Sequence, residues 1–353
     1  MGNSFCNRNC RNSVFIGLKG VDIMKKWYKG DTHLHTTNSD GNMTPEKLIS
    51  ECKKIGLDYM IITDHNYNTI KKSRFDGDML IIQGQELTNE PGHVNVWGAK
   101  VPHDPPHKLD TVEDYKKLID ASREAGATIS LNHPFCSNCP FLLDKDEFKF
   151  DTVEVWNTVQ HSDNLKNMKW WHGQLLKGNK IMAVGGSDHH RYYGPVSFLA
   201  VPTTYVLAEE KTADSILKAI REGRSVVTNS PKSSMIYLTV GSAQVGDTAK
   251  LSENDTADIT ITKFKKGQKL VVYNNDRVIF THTAEKNFKT WSAQFKIKEP
   301  GFIRAEIDYN LGPVSTRVVA FAERTFLGNR GVKKTNKTMP ELFWAFTNPI
   351  WIE

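Results

Sequence analysis

The sequence has no long apolar run and few cysteines, and both features narrow the class of protein. No hydrophobic stretch approaches the roughly 18 residues that a membrane span requires. Residues 1–20 also lack the continuous apolar segment of a secretory signal peptide. We therefore expect a cytoplasmic protein with no membrane attachment.

The cysteine content argues against a framework of disulfides, because the chain has five cysteines, an odd number. Cys136 and Cys139 form one CxxC pair, and with Cys6 and Cys10 they make a four-thiolate zinc site in one alternative interpretation. Neither the CxxC spacing nor the CxxxC spacing of Cys6 and Cys10 is specific for zinc on its own. Reduced thiols are the expected state.

The excess of positive charge is small, with 46 Lys and Arg against 40 Asp and Glu, a formal charge of +6. Lysine clusters at 263–269 and 333–337 are typical of solvated surface. No alternation of aromatic and basic residues suggests base stacking. We expect no stable nucleic-acid partner, although a basic protein attracts anionic substrates.

Three regions differ in their patterns. Residues 1–23 show no periodicity and are expected to be a disordered extension. Residues 24–231 alternate short apolar runs with helical patterns, which is typical of a βα-repeating domain. Residues 232–353 alternate strand patterns with turn signals and predict a small antiparallel β-sandwich. The role of this second domain stays open between capping the first, forming a homo-oligomer and binding a partner.

Within the first domain, the spacing predicts a helix that starts at Thr44, with Pro45 in its first turn, and stops at Gly56. Further helices are expected near 112–125, 163–176 and 213–222. The predicted strands are 29–35, 59–63, 79–87, 93–98, 128–132, 152–156, 181–185 and 198–201.

Two histidines, His33 and His35, stand at the end of the first predicted strand. Side chains two apart on a strand share a face, so these imidazoles form a chelating pair. Asp40 follows in a Ser-Asp-Gly loop, where a carboxylate can return over the strand end.

More ligand-type side chains follow where later strands end. They are His65 after 59–63, Glu86 in 79–87, His93 in 93–98, His133 after 128–132, and Asp188 and His190 after 181–185. Functional residues gather at the carboxyl ends of barrel strands. A strand-initiating role remains the alternative for His93, and the period of two turns His189 away from the other ligands.

Six histidines and three carboxylates exceed what one ion can use. Imidazole combined with carboxylate suits zinc, manganese or iron. We therefore expect two or three divalent metal ions that share these ligands.

The motifs resemble those of the PHP (polymerase and histidinol phosphatase) superfamily: HxH at 33–35, SDG at 39–41, TDH at 63–65, the strand-end Glu86, HP at 133–134 and GSDxH at 186–190. The resemblance implies an α/β fold, a distorted (β/α)7 TIM-like barrel, over residues 24–231. The sequence segments 92–98, 153–157, 223–225 and 347–351 are similar to segments of the carbaryl-hydrolase-like branch.

The resemblance also implies how the metals are shared. One ion would take His33, His35, Glu86 and Asp188; Glu86 would bridge to a second that takes His133 and His93; a third would take Asp40, His65 and His190.

The implied activity is hydrolysis of a phosphate ester by metal-activated hydroxide, with Glu86 and Asp188 at the reacting centre. Arg191, or else His161, would neutralise phosphate charge, and Glu154 and Asn157 would line or support the pocket. The expected substrate is a small phosphorylated molecule or nucleotide. Alternatives are a carboxylic or carbamate ester, favoured by an aromatic lining from Trp97 and Trp156, and a catalytically silent binding module.

Overall fold

The computed structural model describes residues 25–101, 111–159, 161–192, 197–253, 255–309, 321 and 342–353. The predicted N-terminal extension and the cysteines Cys6 and Cys10 lie outside these ranges, and so does a four-thiolate site built from them.

Helices form at all four predicted positions, although the third begins two residues earlier than predicted. They are α1 (Pro45–Ile55), α2 (Val112–Glu124), α3 (His161–Leu176) and α4 (Ala213–Arg221). Thr44 caps α1 by accepting a hydrogen bond from the Lys47 amide, and Gly56 ends it with a φ of 79°. Within the described ranges, no helix combines the length and apolar character needed to cross a membrane.

The strands of the N-terminal region supply the apolar runs of the core. They are β1 (Lys26–Asp31), β2 (Tyr59–Ile62), β3 (Arg74–Asp76), β4 (Met79–Asn89), β5 (Gly92–Trp97), β6 (Thr128–Leu131), β7 (Thr152–Asn157), β8 (Met182–Gly186), β9 (Thr203–Ala208) and β10 (Ser225–Thr228). Every residue of β2, β6, β7 and β8 is buried. Strands covered on both faces are expected to be apolar along their whole length.

The sheet is mixed rather than a regular succession of parallel strands and helices. Neighbours β1, β2 and β4 run parallel, as do β6, β7 and β8, but β5 lies antiparallel between β4 and β6. Only Glu90 and Pro91 separate β4 from β5. A parallel return needs a crossover of a dozen or more residues, so this short connection makes a hairpin where a (β/α)7 barrel would have a helix.

The sheet curls, and the segments that follow β1 and β8 meet as a result. The amide of Asp188, just past β8, donates to the His33 carbonyl at 2.9 Å, and the amide of His35 donates to the His189 carbonyl at 3.2 Å. These bonds join the segments that follow β1 and β8. The carboxyl ends of distant strands therefore lie side by side.

The strand predicted at 198–201 is wrong, because those residues form a turn and β9 begins at Thr203. The buried carboxylate of Asp31 accepts the amide of Ala200 at 2.9 Å. Ala200 has a φ of 56°, which is incompatible with an extended strand.

The C-terminal region forms two layers that share one core. Its strands are β11 (Met235–Val240), β12 (Ala243–Gln244), β13 (Thr248–Ala249), β14 (Thr256–Phe264), β15 (Gln268–Asn274), β16 (Arg277–Thr283), β17 (Phe288–Lys296), β18 (Gly301–Tyr309), β19 (Leu342–Thr347) and β20 (Ile350–Ile352). One layer is the four-stranded sheet β12-β11-β14-β17. The other, which includes β15, β18, β19 and β20, is not a separate sheet. It continues through β10 into the N-terminal strands, and the described part of this sheet has 16 strands.

A buried network joins α3 to β18. Arg304 is 3% exposed; it donates to Glu306 at 2.8 Å and to the His172 Nδ1 at 2.9 Å. Its guanidinium also lies 4.3 Å from the Tyr273 ring centroid. Burial and the neighbouring Arg304 charge lower the pKa of His172 to about 4, so a neutral imidazole accepts the Arg304 hydrogen bond.

We expect His172 to make folding stability depend on pH in a defined window. The unfolded chain protonates this residue near its ordinary pKa of 6.5, whereas the folded protein does so only near 4. The stabilisation is therefore complete above pH 6.5 and is lost as pH falls towards 4. Urea unfolding of wild type and His172→Gln across this window should show a shallower pH dependence in the variant. Identical slopes would contradict the assignment.

Candidate metal centre

The ends of several strands bring the predicted ligand residues into one cluster. His33 and His35 follow β1, Glu86 and His93 lie on the β4–β5 hairpin, and His133 follows β6. The remaining members, Asp40, His65, Asp188 and His190, come from the segments after β1, β2 and β8. All nine predicted side chains belong to overlapping groups of ion-pair contacts.

Glu86 lies at the middle of the cluster and is 0% exposed. Five imidazoles approach its two carboxylate oxygens: His65 at 2.8 Å, His93 at 3.2 Å, His33 at 3.3 Å, and His35 and His133 at 3.5 Å. The Asn132 amide also donates to the Glu86 Oε1 at 2.8 Å. One carboxylate therefore contacts both halves of the site.

Asp40 forms a second, more exposed focus. Its Oδ1 lies 3.2 Å from the His190 Nε2 and 3.4 Å from the His65 Nε2. His35 stacks on His190 with ring centroids 4.1 Å apart, which links this group to the buried part of the cluster.

Protein acceptors hold one ring nitrogen of several histidines and direct the other inward. The His33 Nδ1 lies 2.9 Å from the Glu154 Oε1, and the His190 Nδ1 lies 2.8 Å from the Asp188 carbonyl oxygen. In each ring a proton on Nδ1 pairs with this acceptor, so that Nε2 points at the carboxylates of the cluster. Such acceptors fix the tautomer and orientation of metal-binding histidines.

Protonated imidazoles balance the buried carboxylates in the absence of cations. Burial opposes charge on His190, but Asp188 and Asp40 outweigh it and raise the pKa of His190 to about 9. Burial is likewise outweighed at His133, where the hydrogen bond to Glu86 raises the pKa to about 10. The hydrogen bond from His190 lowers the pKa of Asp40 to about 2. A binding cation would displace these protons.

Several buried nitrogens have no hydrogen-bond partner among the residues that the structure describes. They include Nε2 of His33 and both ring nitrogens of His35. Carboxylate oxygens lie near them, with the Asp188 Oδ1 3.1 Å from the His35 Nε2, but without hydrogen-bond geometry. Buried polar atoms are rarely left unpaired, and imidazole lone pairs beside carboxylates are ligands for divalent ions. The donor set therefore fits a metal centre.

Among the described residues, four groups of donor atoms, each within 4.8 Å of one another, could hold an ion. They are His35, Asp40, His65 and His190; His33, Glu86 and His133; His33, His35 and Asp188; and His93, His133 and Cys139. The first three consist of predicted residues. The last adds a sulfur from the CxxC pair, which the spacing alone does not connect with the histidines.

Two buried aspartates support the cluster from outside it. Asp64 accepts hydrogen bonds from the Thr36 amide and from the Ser39 hydroxyl, both at 2.6 Å, which holds the loop that carries Asp40. Asp31 accepts the amide of Ser187 at 3.0 Å, and burial raises its pKa to about 6. Asp64 lies within the TDH motif and Asp31 lies two residues before the HxH motif, so their proximity to the ligands was visible in the sequence although their role was not.

The residues predicted to flank the centre occupy different environments. Arg191 is exposed and directly follows His190. His189 turns away and packs against Tyr192 with ring centroids 5.6 Å apart. Glu154 and Asn157 are buried beside the centre, and Asn157 donates to the Asp188 Oδ2 at 3.2 Å. His161 begins α3, and its side chain lies outside the described part of the chain.

Residues 31–133 match the model of the family described as the PHP domain. The matched segment includes seven of the nine cluster residues, from His33 to His133, and the fold brings Asp188 and His190 to them from outside it.

The chain is also similar to three known proteins. An uncharacterized protein of Methanocaldococcus jannaschii is 28% identical over 157 residues, which cover 39% of this chain and 86% of that one. A crystal structure from Bacteroides vulgatus has a TM-score of 0.50 at 18% identity and covers 84% of this chain and 95% of that one. It is described as a two-domain protein containing a predicted PHP-like metal-dependent phosphoesterase, and at this identity the likeness is one of fold.

A third protein, a putative metal-dependent phosphoesterase from Bifidobacterium adolescentis, has a TM-score of 0.33 at 16% identity, over 54% of this chain and 94% of that one.

Glu154→Gln should weaken metal binding although Glu154 is not a predicted ligand. The three groups that face its oxygens, His33 Nδ1, the His133 amide and the Asn157 amide, all act as donors, and a glutamine would turn an NH2 group towards one of them. We expect metal affinity to fall about 10- to 100-fold, the usual effect of losing such a partner.

A chelator competition assay measures this effect. The matched control is Glu147→Gln, because the Glu147 side chain is 53% exposed and pairs with Lys116. Equal affinities of the two variants would show that Glu154 does not position His33.

Proposed function

We propose that this protein is a metal-dependent phosphoesterase that hydrolyses a small phosphorylated molecule or nucleotide. The observation that carries the proposal is the convergence of five imidazoles on the buried carboxylate of Glu86. The match to the PHP domain and the description of the Bacteroides vulgatus protein support it.

The proposed ligand assignment follows the order of the motifs. His33, His35, Glu86 and Asp188 would hold one ion, Glu86, His133 and His93 a second, and Asp40, His65 and His190 a third. Bound divalent ions would supply Lewis-acid stabilisation of phosphate charge and activation of water. Zinc, manganese and iron all suit imidazole and carboxylate donors.

The chain's own groups would orient these ligands and the substrate. Asn132 and Asn157 hold the carboxylates of Glu86 and Asp188 by donating one hydrogen bond to each. Glu154 keeps the proton of His33 on Nδ1. Because these residues are buried, little reorganisation is needed when an anionic substrate arrives.

A phosphate ester suits the site better than a carboxylic or carbamate ester of the carbaryl-hydrolase-like type. Exposed Arg191 beside His190 can pair with phosphate oxygens outside the ligand set. Trp97 and Trp156, which would support the ester alternative as an aromatic lining, are 1% and 0% exposed and pack in hydrophobic clusters. The buried nitrogens of His33 and His35 that lack a hydrogen bond argue against a silent binding module. Burying an unpaired polar atom costs free energy, and a bound metal would offset that cost.

We also propose that residues 24–231 form a PHP barrel and that the following residues form a second domain. Strand β10 ends at Thr228 and β11 begins at Met235, so the boundary falls in the connection between them.

Metal content tests the centre directly. The wild type should carry at least two equivalents of transition metal per chain, because the donor groups are too many for one ion. Glu86→Gln should lower that content and reduce hydrolysis of a panel of phosphorylated substrates, while Glu90→Gln, on the exposed hairpin turn, should behave as wild type. Full metal content and turnover in Glu86→Gln would refute the bridging role.

Arg191→Ala distinguishes the two ester classes. Loss of a charge-assisted contact to phosphate costs about 1.5–3 kcal/mol, which corresponds to a fall in kcat/KM of about 10- to 100-fold. Metal content should stay the same. A matched neutral ester should lose much less, so equal losses on both substrates would mean that Arg191 does not contact phosphate.

A further inference from the structure

The CxxC pair lies against the metal centre rather than apart from it. The Cys139 Sγ is 3.8 Å from the His133 Nδ1, and it belongs to a group of donor atoms with His93 and His133 that all lie within 4.8 Å of one another. On the other side, the Cys139 Sγ is 3.0 Å from the Cys136 Sγ. One sulfur therefore faces two different partners.

The loop holds both sulfurs in place. The Cys136 Sγ accepts the amides of Asn138 at 3.4 Å and Cys139 at 3.3 Å. The amide and hydroxyl of Ser137 each donate to the Asp163 carboxylate of α3 at 2.8 Å, and Asp163 is 1% exposed. A disulfide bond of about 2.05 Å needs the sulfurs to approach by only about 1 Å, so little backbone movement is required.

We propose that Cys136 and Cys139 form a reversible disulfide that controls whether the Cys139 sulfur is available as a donor beside His93 and His133. In the reduced protein the sulfur completes a soft subsite of two imidazoles and one thiolate, a combination that favours zinc. In the oxidised protein the Cys139 sulfur is bonded to the Cys136 sulfur and is no longer a thiolate donor. The inference rests on the metal centre of the proposed function but not on its phosphoesterase chemistry.

Hydrogen peroxide is the oxidant, because it is small enough to reach a partly enclosed sulfur. Cys136 reacts first, since its Sγ accepts the amides of Asn138 and Cys139 and the Cys139 thiol, contacts that favour a thiolate. Its sulfur attacks one peroxide oxygen and the O–O bond breaks, which leaves a sulfenic acid and releases one water. The Cys139 sulfur then attacks the sulfenic sulfur and displaces the second oxygen as water. Two thiols and one peroxide give one disulfide and two waters, and a dithiol reductant reverses the change.

The first measurement is the mass of the tryptic peptide 124–145 from the full-length protein, because Cys136 and Cys139 are the cysteines it contains. After mild peroxide treatment the peptide should be lighter by two hydrogen atoms, and dithiothreitol should restore it. This readout needs no bound metal, so it separates failure of the inference from failure of the proposed function.

The second measurement uses cobalt(II) as a probe in the full-length protein. The reduced wild type should show thiolate-to-cobalt charge-transfer absorption that peroxide removes. Cys139→Ser should lack the band from the start. Cys136→Ser is the matched control, because it keeps the Cys139 donor but cannot form the disulfide, and its band should survive the peroxide exposure that abolishes that of the wild type.

Metal affinity gives the size of the effect. Oxidation should weaken binding by at least about 10-fold in the wild type, because even the loss of a partner that only orients a ligand costs about 10- to 100-fold. Three outcomes would overturn the inference: a cobalt spectrum unchanged by Cys139→Ser, a peptide that keeps both thiols or gains oxygen instead of losing hydrogen, or equal affinity of the reduced and oxidised proteins.

Discussion

Burial of the Glu86 carboxylate constrains the arrangement of everything around it. A charge without solvent must be paired and hydrogen-bonded, since breaking a buried pair typically costs about 3–5 kcal/mol. Glu86 meets this need with imidazoles that come from the ends of β1, β2, β5 and β6. Those strand ends can surround one carboxylate only if the sheet curls. The curvature of the sheet is therefore what allows the imidazoles to balance the charge of Glu86.

The sequence predicts best the features that short segments encode. The cap at Thr44, the stop at Gly56 and the grouping of His33 with His35 depend on neighbours within a few residues, and the structure confirms all of them. The hairpin between β4 and β5 was also open to prediction, because two residues cannot carry a crossover. Contacts between residues far apart in the sequence are harder to predict. That the Cys139 sulfur lies beside His133 depends on how Asp163 ties a loop to α3, and no local pattern carries that information.

The C-terminal half shows the same limit on a larger scale. Its strands could be recognised from alternation, as with Met235–Val240, but alternation does not specify which sheet a strand joins. The pairing of Val226 with Thr347 makes the last strands an extension of the N-terminal sheet. The two halves therefore share main-chain hydrogen bonds, in addition to the side-chain network around Arg304.

Asn348 shows what this continuity means for the centre. Its side chain is 0% exposed and bonds the backbone of Ala183 in both directions, accepting from the amide at 2.7 Å and donating to the carbonyl at 2.8 Å, as a neighbouring strand would. Ala183 lies in β8, five residues before Asp188. Asn348, which follows β19, thus supports the strand that precedes Asp188, so β8 completes its hydrogen bonding only once the C-terminal strands have docked beside it.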